Sequence, residues 1–173
     1  MIVNRRLVMH LSLIFIAVFS SYFIYDNFIV SNTTTIGIQS GDLLLDQMIP
    51  IVDGSASVSF SQFRGSILVI DFMAPWCVPC KQQLSILREV NSIDEVEVIS
   101  INVDRNYDMR KLMEFGDSEG IEWFFGHNPQ SALDYEVAGV PTIIIANQNG
   151  IIVHRAYYTT LIEFKQILNN LID

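Results

Sequence analysis

Two cysteines three positions apart, Cys77 and Cys80, are the residues of this 173-residue chain best suited to chemistry, and the chain has no others. They follow the apolar run of residues 67–72 and open a segment, residues 79–92, whose apolar side chains repeat at helical spacing. Residues three apart in the first turn of a helix share a face, with Cα atoms about 5.5 Å apart, a separation that a disulfide can span. The pattern therefore predicts a redox-active dithiol at the start of a helix.

Their positions in that helix predict different roles for the two sulfurs. Unpaired N–H groups at a helix N-terminus favour negative charge, so the pKa of Cys77 is expected below the free value of about 8.5. Cys77 is then the nucleophile that attacks a partner disulfide, and Cys80, one turn further in, resolves the mixed disulfide. Pro79 is tolerated there because its missing N–H would have no partner within the helix.

Two neighbours of the cysteines are further candidates. Asp71 lies inside the apolar run, where burial raises the pKa of a carboxyl, and it can exchange a proton with Cys80 through water. A solvent-facing edge position or a structural hydrogen bond is the alternative for Asp71. Trp76 either shields the sulfurs or only packs against its surroundings.

Other chemistries fit these residues less well. A structural disulfide that closes so short a loop would stabilise the fold little. A zinc site needs more ligands, and His127 and His154 lie far along the chain. A thiol peroxidase should have Thr or Ser three residues before Cys77, where Ala74 stands, and a copper chaperone of the C-x-x-x-C type needs one more intervening residue. These last two remain as alternative functions, and the leading hypothesis requires no metal and no cofactor beyond the Cys77–Cys80 disulfide.

Alternating strand and helix patterns surround the dithiol and must position it. The expected elements are a hairpin (48–52 and 57–60), a helical turn (61–65), strands (67–72, 96–103, 123–125, 142–146 and 151–157) and helices (79–92, 108–115, 131–137 and 160–171). A central strand–helix–strand unit demands parallel strands, and a final hairpin adds antiparallel ones. The fold class is therefore α/β, with a mixed central sheet covered by helices on both faces.

The N-terminal residues have the composition of a membrane anchor. Residues 7–25 contain no Asp, Glu, Lys or Arg, and Arg5 and Arg6 precede them. At about 1.5 Å per residue such a helix nearly spans a bilayer core of about 30 Å, and the positive-inside rule keeps its N-terminus in the cytoplasm. We expect a single-pass anchor in the cell membrane (1–29), a polar linker (30–47) and an extracytoplasmic catalytic domain (48–173). A cleaved signal peptide is the alternative.

The chain is acidic, with a formal net charge of −9. Beyond residue 30 it has 8 basic and 18 acidic residues. Non-specific nucleic-acid binding requires a basic face, so nucleic acid is excluded as a partner.

Two segments together resemble the thioredoxin superfamily. Residues 71–81, DFMAPWCVPCK, resemble its active-site segment, and residues 139–142, GVPT, match its cis-proline loop. The resemblance covers about residues 49–171 and implies a thioredoxin-like fold in which Pro141 is cis beside the cysteines. It also implies a substrate-binding surface that includes Trp76, Val140 and Thr142, with the Val140 backbone pairing with a substrate segment.

The N-terminal hairpin, the helical turn after it and an extra helix-and-strand segment resemble the TlpA/ResA subfamily of membrane-anchored thiol-disulfide oxidoreductases. This implies a reductant of exported protein disulfides, including those in cytochrome c maturation, with electrons from a membrane thiol carrier. The residues themselves do not decide whether the protein acts as a reductant or as an oxidant. Three positions depart from the pattern: Gln83 stands where many members have an acidic residue, Ser100 where thioredoxins often have lysine, and Tyr157-Tyr158 where a glycine is usual.

Overall fold

A computed structural model of the chain describes residues 5–29 and 35–172, which form two compact units divided between residues 34 and 35. In the first unit, helix α1 (Arg5–Ile29) has exposed side chains throughout 13–24. Among the described residues, no helix meets the combined length and hydropathy that a membrane span requires. The predicted transmembrane helix is therefore not confirmed.

The second unit is built on a five-stranded mixed sheet of β5 (Ile67–Met73), β6 (Val96–Asn102), β7 (Phe124–His127), β8 (Thr142–Ala146) and β9 (Ile152–Ala156). The strand order is β7-β6-β5-β8-β9. Strands β5, β6 and β7 are parallel, whereas β8 is antiparallel to β5 and β9 is antiparallel to β8. The helices are α2 (Val78–Val90), α3 (Met109–Glu119), α4 (Gln130–Asp134) and α5 (Leu161–Ile172). The predicted mixed α/β architecture is confirmed.

Burial on both faces explains why the central strand reads as an almost continuous apolar run. Every residue of β5 is buried, and alternate side chains point to opposite faces of the sheet. One face packs against α2, α3 and α5 through residues such as Leu84, Leu112 and Phe164. The other face is covered by Tyr135, at the end of α4, together with N-terminal segments that include Phe60. The second face thus has one short helix rather than a full helical layer.

The N-terminal part of the unit contains two small sheets. β1 (Ile36–Gly37) pairs parallel with β2 (Leu43–Leu44), and β3 (Met48–Pro50) pairs antiparallel with β4 (Ser57–Ser59), as the hairpin pattern predicts. A 3₁₀ turn (Phe60–Phe63) follows.

The compact unit begins earlier than the predicted domain start at residue 48. Residues 30–34 of the predicted linker lie outside the described residues, but residues 35–47 belong to the second unit. The N–H of Gly41 donates to the carbonyl of Ile152 at 2.8 Å, and Leu44 is buried. Such contacts with β9 depend on tertiary folding, which the composition of this segment does not reveal.

Helix α3 ends at Glu119, four residues after its predicted last residue, Phe115. Gly116 is buried inside the helix, where an added Cβ would lie 3.1 Å from the ring of Phe125. Gly120 is the residue that ends the helix, with a left-handed φ of 64° that favours glycine. The first glycine serves close packing and the second serves termination.

Candidate active site

The two cysteines form a disulfide at the start of α2. Cys77 is the N-cap residue, and its Cα atom lies 5.2 Å from that of Cys80. The sulfur of Cys77 accepts a hydrogen bond from the backbone N–H of Cys80 at 3.1 Å, so a thiolate formed there on reduction would have a donor ready. Cys77 is 3% exposed and Cys80 is fully buried. Both residues are therefore buried, Cys77 slightly less so, and they lie at the start of a helix as the spacing predicts. Their separate roles as nucleophile and resolving thiol stay a prediction.

The loop before β8 brings a second segment to the cysteines. The peptide bond between Val140 and Pro141 is cis, as the resemblance implies. The sulfur of Cys77 lies 3.4 Å from the carbonyl oxygen of Val140. The hydroxyl of Thr142 donates to the carbonyl of Gly139 at 2.7 Å, which ties the two ends of the loop together.

A groove of about 340 Å³ runs beside this loop. Most of its lining residues are apolar, and the lining consists of Ala74, Trp76, Val103, Asp104, Val137, Gly139 and Val140. Trp76 is 63% exposed, and its indole N–H donates to Oδ2 of Asp104 at 2.7 Å. The ring therefore forms a fixed wall of the groove rather than part of the core.

Asp104 is a charged group within that groove. The backbone N–H of Asn106 donates to its Oδ1 at 2.9 Å and lowers the pKa of its carboxyl, with a further contribution from the Trp76 indole. Asp104 is not among the site residues predicted from the sequence. Its position directly after a parallel strand was the available signal, since sites in α/β folds lie at the carboxyl ends of strands.

Asp71 is fully buried on the face of the sheet that carries the cysteines. It lies on the same face of β5 as Val69 and Met73, which are two residues before and after it and belong to the same core cluster as Cys77 and Cys80. Burial raises the pKa of its carboxyl to about 7, although a hydrogen bond from the Ser100 hydroxyl to Oδ2 opposes this rise. Its other oxygen, Oδ1, has no hydrogen-bond partner in the part of the chain described. The edge alternative for Asp71 is thereby excluded.

The residues that depart from the family pattern have defined contacts. Gln83 is buried on α2, and its amide exchanges two hydrogen bonds with the backbone of Thr159, at 3.0 and 3.1 Å. The ring of His154 on β9 lies 2.9 Å from the Thr159 hydroxyl, and partial burial lowers the pKa of His154. These contacts join α2 to the segment before α5. Within the described ranges, no group of three or more His, Cys, Asp or Glu side chains could hold a metal ion.

Comparison with known proteins points in one direction. The AhpC/TSA family model matches residues 42–155. The thiol:disulfide interchange protein CycY of Rhizobium leguminosarum bv. viciae is 26% identical over 97 residues, a match that covers 53% of this chain and only 50% of that protein. The thiol-disulfide oxidoreductase ResA of Geobacillus kaustophilus (strain HTA426) is 24% identical over 154 residues, covering 85% of this chain and 84% of that protein.

Solved structures agree on the architecture. A DsbF homologue from Corynebacterium diphtheriae superposes with a TM-score of 0.67 at 23% identity, covering 81% of this chain and 94% of that one. At this identity the likeness shows the thioredoxin-like fold. Oxidoreductases of this kind use their own redox-active disulfide and no cofactor. Since the family model spans more than half of the residues, the chain belongs to the AhpC/TSA family as a thioredoxin-like oxidoreductase.

Proposed function

We propose that the protein reduces disulfides in protein clients by dithiol–disulfide exchange at Cys77 and Cys80. The observation that carries the proposal is the placement of this disulfide: it starts a helix and lies against the cis-proline loop, with a groove of about 340 Å³ alongside. Related proteins named as thiol-disulfide oxidoreductases support the reaction class.

The reaction proceeds in two exchanges from the reduced protein. The Cys77 thiolate attacks a client disulfide, forming a Cys77–client bond and releasing one client sulfur as a thiolate, which takes a proton from solvent. Cys80 then passes its proton to Asp71, attacks the sulfur of Cys77 and expels the second client thiolate. The client gains two electrons and the Cys77–Cys80 pair loses two, so a separate thiol donor must reduce the pair again.

The decisive test of direction is the reduction potential of the Cys77–Cys80 couple in the full chain, combined with turnover of a disulfide peptide. A value near that of thioredoxin, about −270 mV, supports a reductant, whereas a value near about −120 mV reverses the direction. Failure to exchange with any disulfide peptide while the chain remains folded would exclude the reaction itself.

The start of α2 predicts unequal reactivity of the two reduced thiols. We expect iodoacetamide to modify Cys77 with a pH midpoint below the free-thiol value of about 8.5, and at pH 7 about tenfold faster than Cys80. Mass spectrometry of the reduced full chain measures each site separately, and the Cys80→Ser variant isolates Cys77. Two equally slow thiols at neutral pH would contradict the nucleophile assignment.

The charge of Asp104 predicts a preference among clients. Asp104 is the one ionisable side chain among the seven described residues that line the groove, so a client cation beside the reacting cysteine should be favoured. For two disulfide peptides that differ only by Lys or Glu at that position, we expect the Lys peptide to have a kcat/KM about two- to fivefold higher at low salt.

Two matched variants test whether this preference arises from the groove. Asp104→Asn should abolish it while retaining an acceptor for the Trp76 indole. Glu136→Gln, which removes an exposed charge outside the groove lining, should leave it intact. A preference that survives in Asp104→Asn would show that the groove does not read client charge.

The two alternative functions lack support at particular atoms. The position three residues before Cys77 is the buried, apolar Ala74, which offers no hydroxyl to a peroxide. A copper chaperone of the C-x-x-x-C type also needs a histidine ligand, and the candidate, His154, already has its ring within hydrogen-bond distance of the Thr159 hydroxyl. Peroxide-consumption kinetics and a copper titration test these alternatives directly.

We infer that the catalytic domain acts outside the cytoplasm, held to the cell membrane by residues 1–29. The support is the charge pattern, with Arg5 and Arg6 before an uncharged apolar stretch. The clients would then be exported proteins, among them apocytochrome c, and the electron source a membrane thiol carrier. Protease protection of the domain in intact cells would contradict this location.

A further inference from the structure

Two polar side chains that the reaction scheme does not use lead from the protein surface to Asp71. Trp123, in the segment before β7, is partly buried against the core cluster that contains the cysteines. Its indole N–H donates to the Ser100 hydroxyl at 2.9 Å, and that hydroxyl donates to Oδ2 of Asp71 at 2.9 Å. Strand register sets the second contact, because Ser100 on β6 is the direct partner of Asp71 on β5.

When Asp71 is ionised, only one assignment of donors and acceptors is possible for these two hydrogen bonds. An indole nitrogen only donates and a carboxylate only accepts, so the single hydroxyl proton of Ser100 must point to Asp71. Without Trp123, the hydroxyl could rotate to other acceptors. The Trp123–Ser100–Asp71 relay therefore engages Oδ2 from one side and leaves Oδ1, buried and without a partner among the described residues, as the free oxygen.

We propose that Trp123 and Ser100 are positioning residues for Asp71: the Trp123 indole fixes the Ser100 hydroxyl as a donor to Oδ2, which leaves Oδ1 to accept the proton of Cys80. The proposal rests on the proposed function for the identity of the proton donor. It goes beyond that function in assigning the role of each carboxylate oxygen and in naming the residues that set it.

The relay contacts Asp71 through an uncharged hydroxyl group and not through a cation. Among the described residues, the causes of the Asp71 pKa shift are burial and the Ser100 hydrogen bond. Titratable side chains that other elements present to this face of the sheet include His154 on β9, Tyr107 before α3 and Lys81 on α2, and none of these three is a cause of the Asp71 pKa shift. A hydroxyl donor stabilises the carboxylate less than a buried cation would, so Asp71 can still bind a proton near neutral pH.

The titration of Asp71 tests the relay without any client. In the oxidised full chain labelled with ¹³C at aspartate carboxyls, the Asp71 signal is assigned from its loss in Asp71→Asn. We expect Ser100→Ala to raise its titration midpoint by about one pH unit, because a hydrogen bond to the charged form is lost. Trp123→Phe should raise it by a smaller amount, and Ser100→Thr, which keeps the hydroxyl, should restore it.

The double variant separates an indirect effect from a general one. If Trp123 acts through Ser100, Trp123→Phe adds nothing in a Ser100→Ala background. Ser131→Ala, which removes another buried hydroxyl on α4, should leave the Asp71 midpoint unchanged. An unshifted midpoint in Ser100→Ala, or additive shifts in the double variant, would overturn the relay. Failure of the proposed proton step would appear differently, as an unchanged rate of mixed-disulfide resolution in Asp71→Asn with these titration shifts intact.

Discussion

Replacing Cys80 with serine in the reduced full chain is expected to trap a covalent adduct between Cys77 and a disulfide client. The first exchange needs only Cys77, which is the slightly more exposed residue of the pair and whose sulfur lies 3.4 Å from the carbonyl oxygen of Val140, a residue of the groove lining. The second exchange needs a thiol one turn along α2, and serine cannot supply it. Multiple turnover should fall to the background rate, a loss of more than about a thousandfold, because the two residues act as a unit.

Non-reducing electrophoresis and intact-mass measurement detect this adduct directly. Cys77→Ser should form no adduct with the same client, and neither should the double variant, since the chain has only two cysteines. An adduct that accumulates in Cys77→Ser instead would show that Cys80 is the nucleophile and Cys77 the resolving thiol. That result would also mean that the helix N-terminus does not select the attacking sulfur.

Asp71→Asn is expected to increase the free energy of unfolding and to slow resolution of the mixed disulfide at neutral pH. Burial raises the native pKa of Asp71 to about 7 from its ordinary value of 3.8, so the native state binds more protons than the unfolded state between these two pH values. Stability contributed by the protonated carboxyl is fully present below pH 3.8 and is lost as pH rises toward 7. An uncharged asparagine avoids this loss and should increase the free energy of unfolding at pH 8 by about 2–4 kcal/mol.

The same substitution removes the group that accepts the proton of Cys80. We expect resolution of the mixed disulfide at pH 7 to slow by about 100-fold, the lower end of the range of general-base effects. Urea unfolding from pH 4 to 8 and stopped-flow resolution rates measure the two effects. Asp94→Asn, at an exposed position in the loop after α2, serves as the control for both. A stability gain independent of pH, or an unchanged resolution rate, would contradict the role of the buried carboxyl.

Stability and activity therefore oppose each other at this one residue. A fully buried carboxyl with one unpartnered oxygen costs stability at neutral pH. It is tolerated in a strand whose other residues are all buried and apolar. Such a conflict between local preference and position is typical of functional sites.

Much of the architecture could be predicted because its signals are local. The helix that starts at the cysteines, the β3–β4 hairpin and strand β8 follow from side-chain periodicity and turn residues within a dozen positions. The burial of Asp71 was predictable for the same reason, since every neighbour in its strand is apolar. Residues 35–47, which the composition alone assigns to a linker, belong to the second compact unit and contact distant segments such as β9.

The amino-acid sequence alone determined which atoms can do chemistry here: a dithiol with the spacing of one helical turn and a carboxyl within a buried strand. Tertiary structure decided which partners those atoms have. The contacts of Trp76 with Asp104, of Ser100 with Asp71 and of Cys77 with Val140 join residues 28, 29 and 63 positions apart. Sequence periodicity reports only on neighbours along the chain, whereas these contacts depend on strand register and loop placement, which are set when the whole sheet assembles.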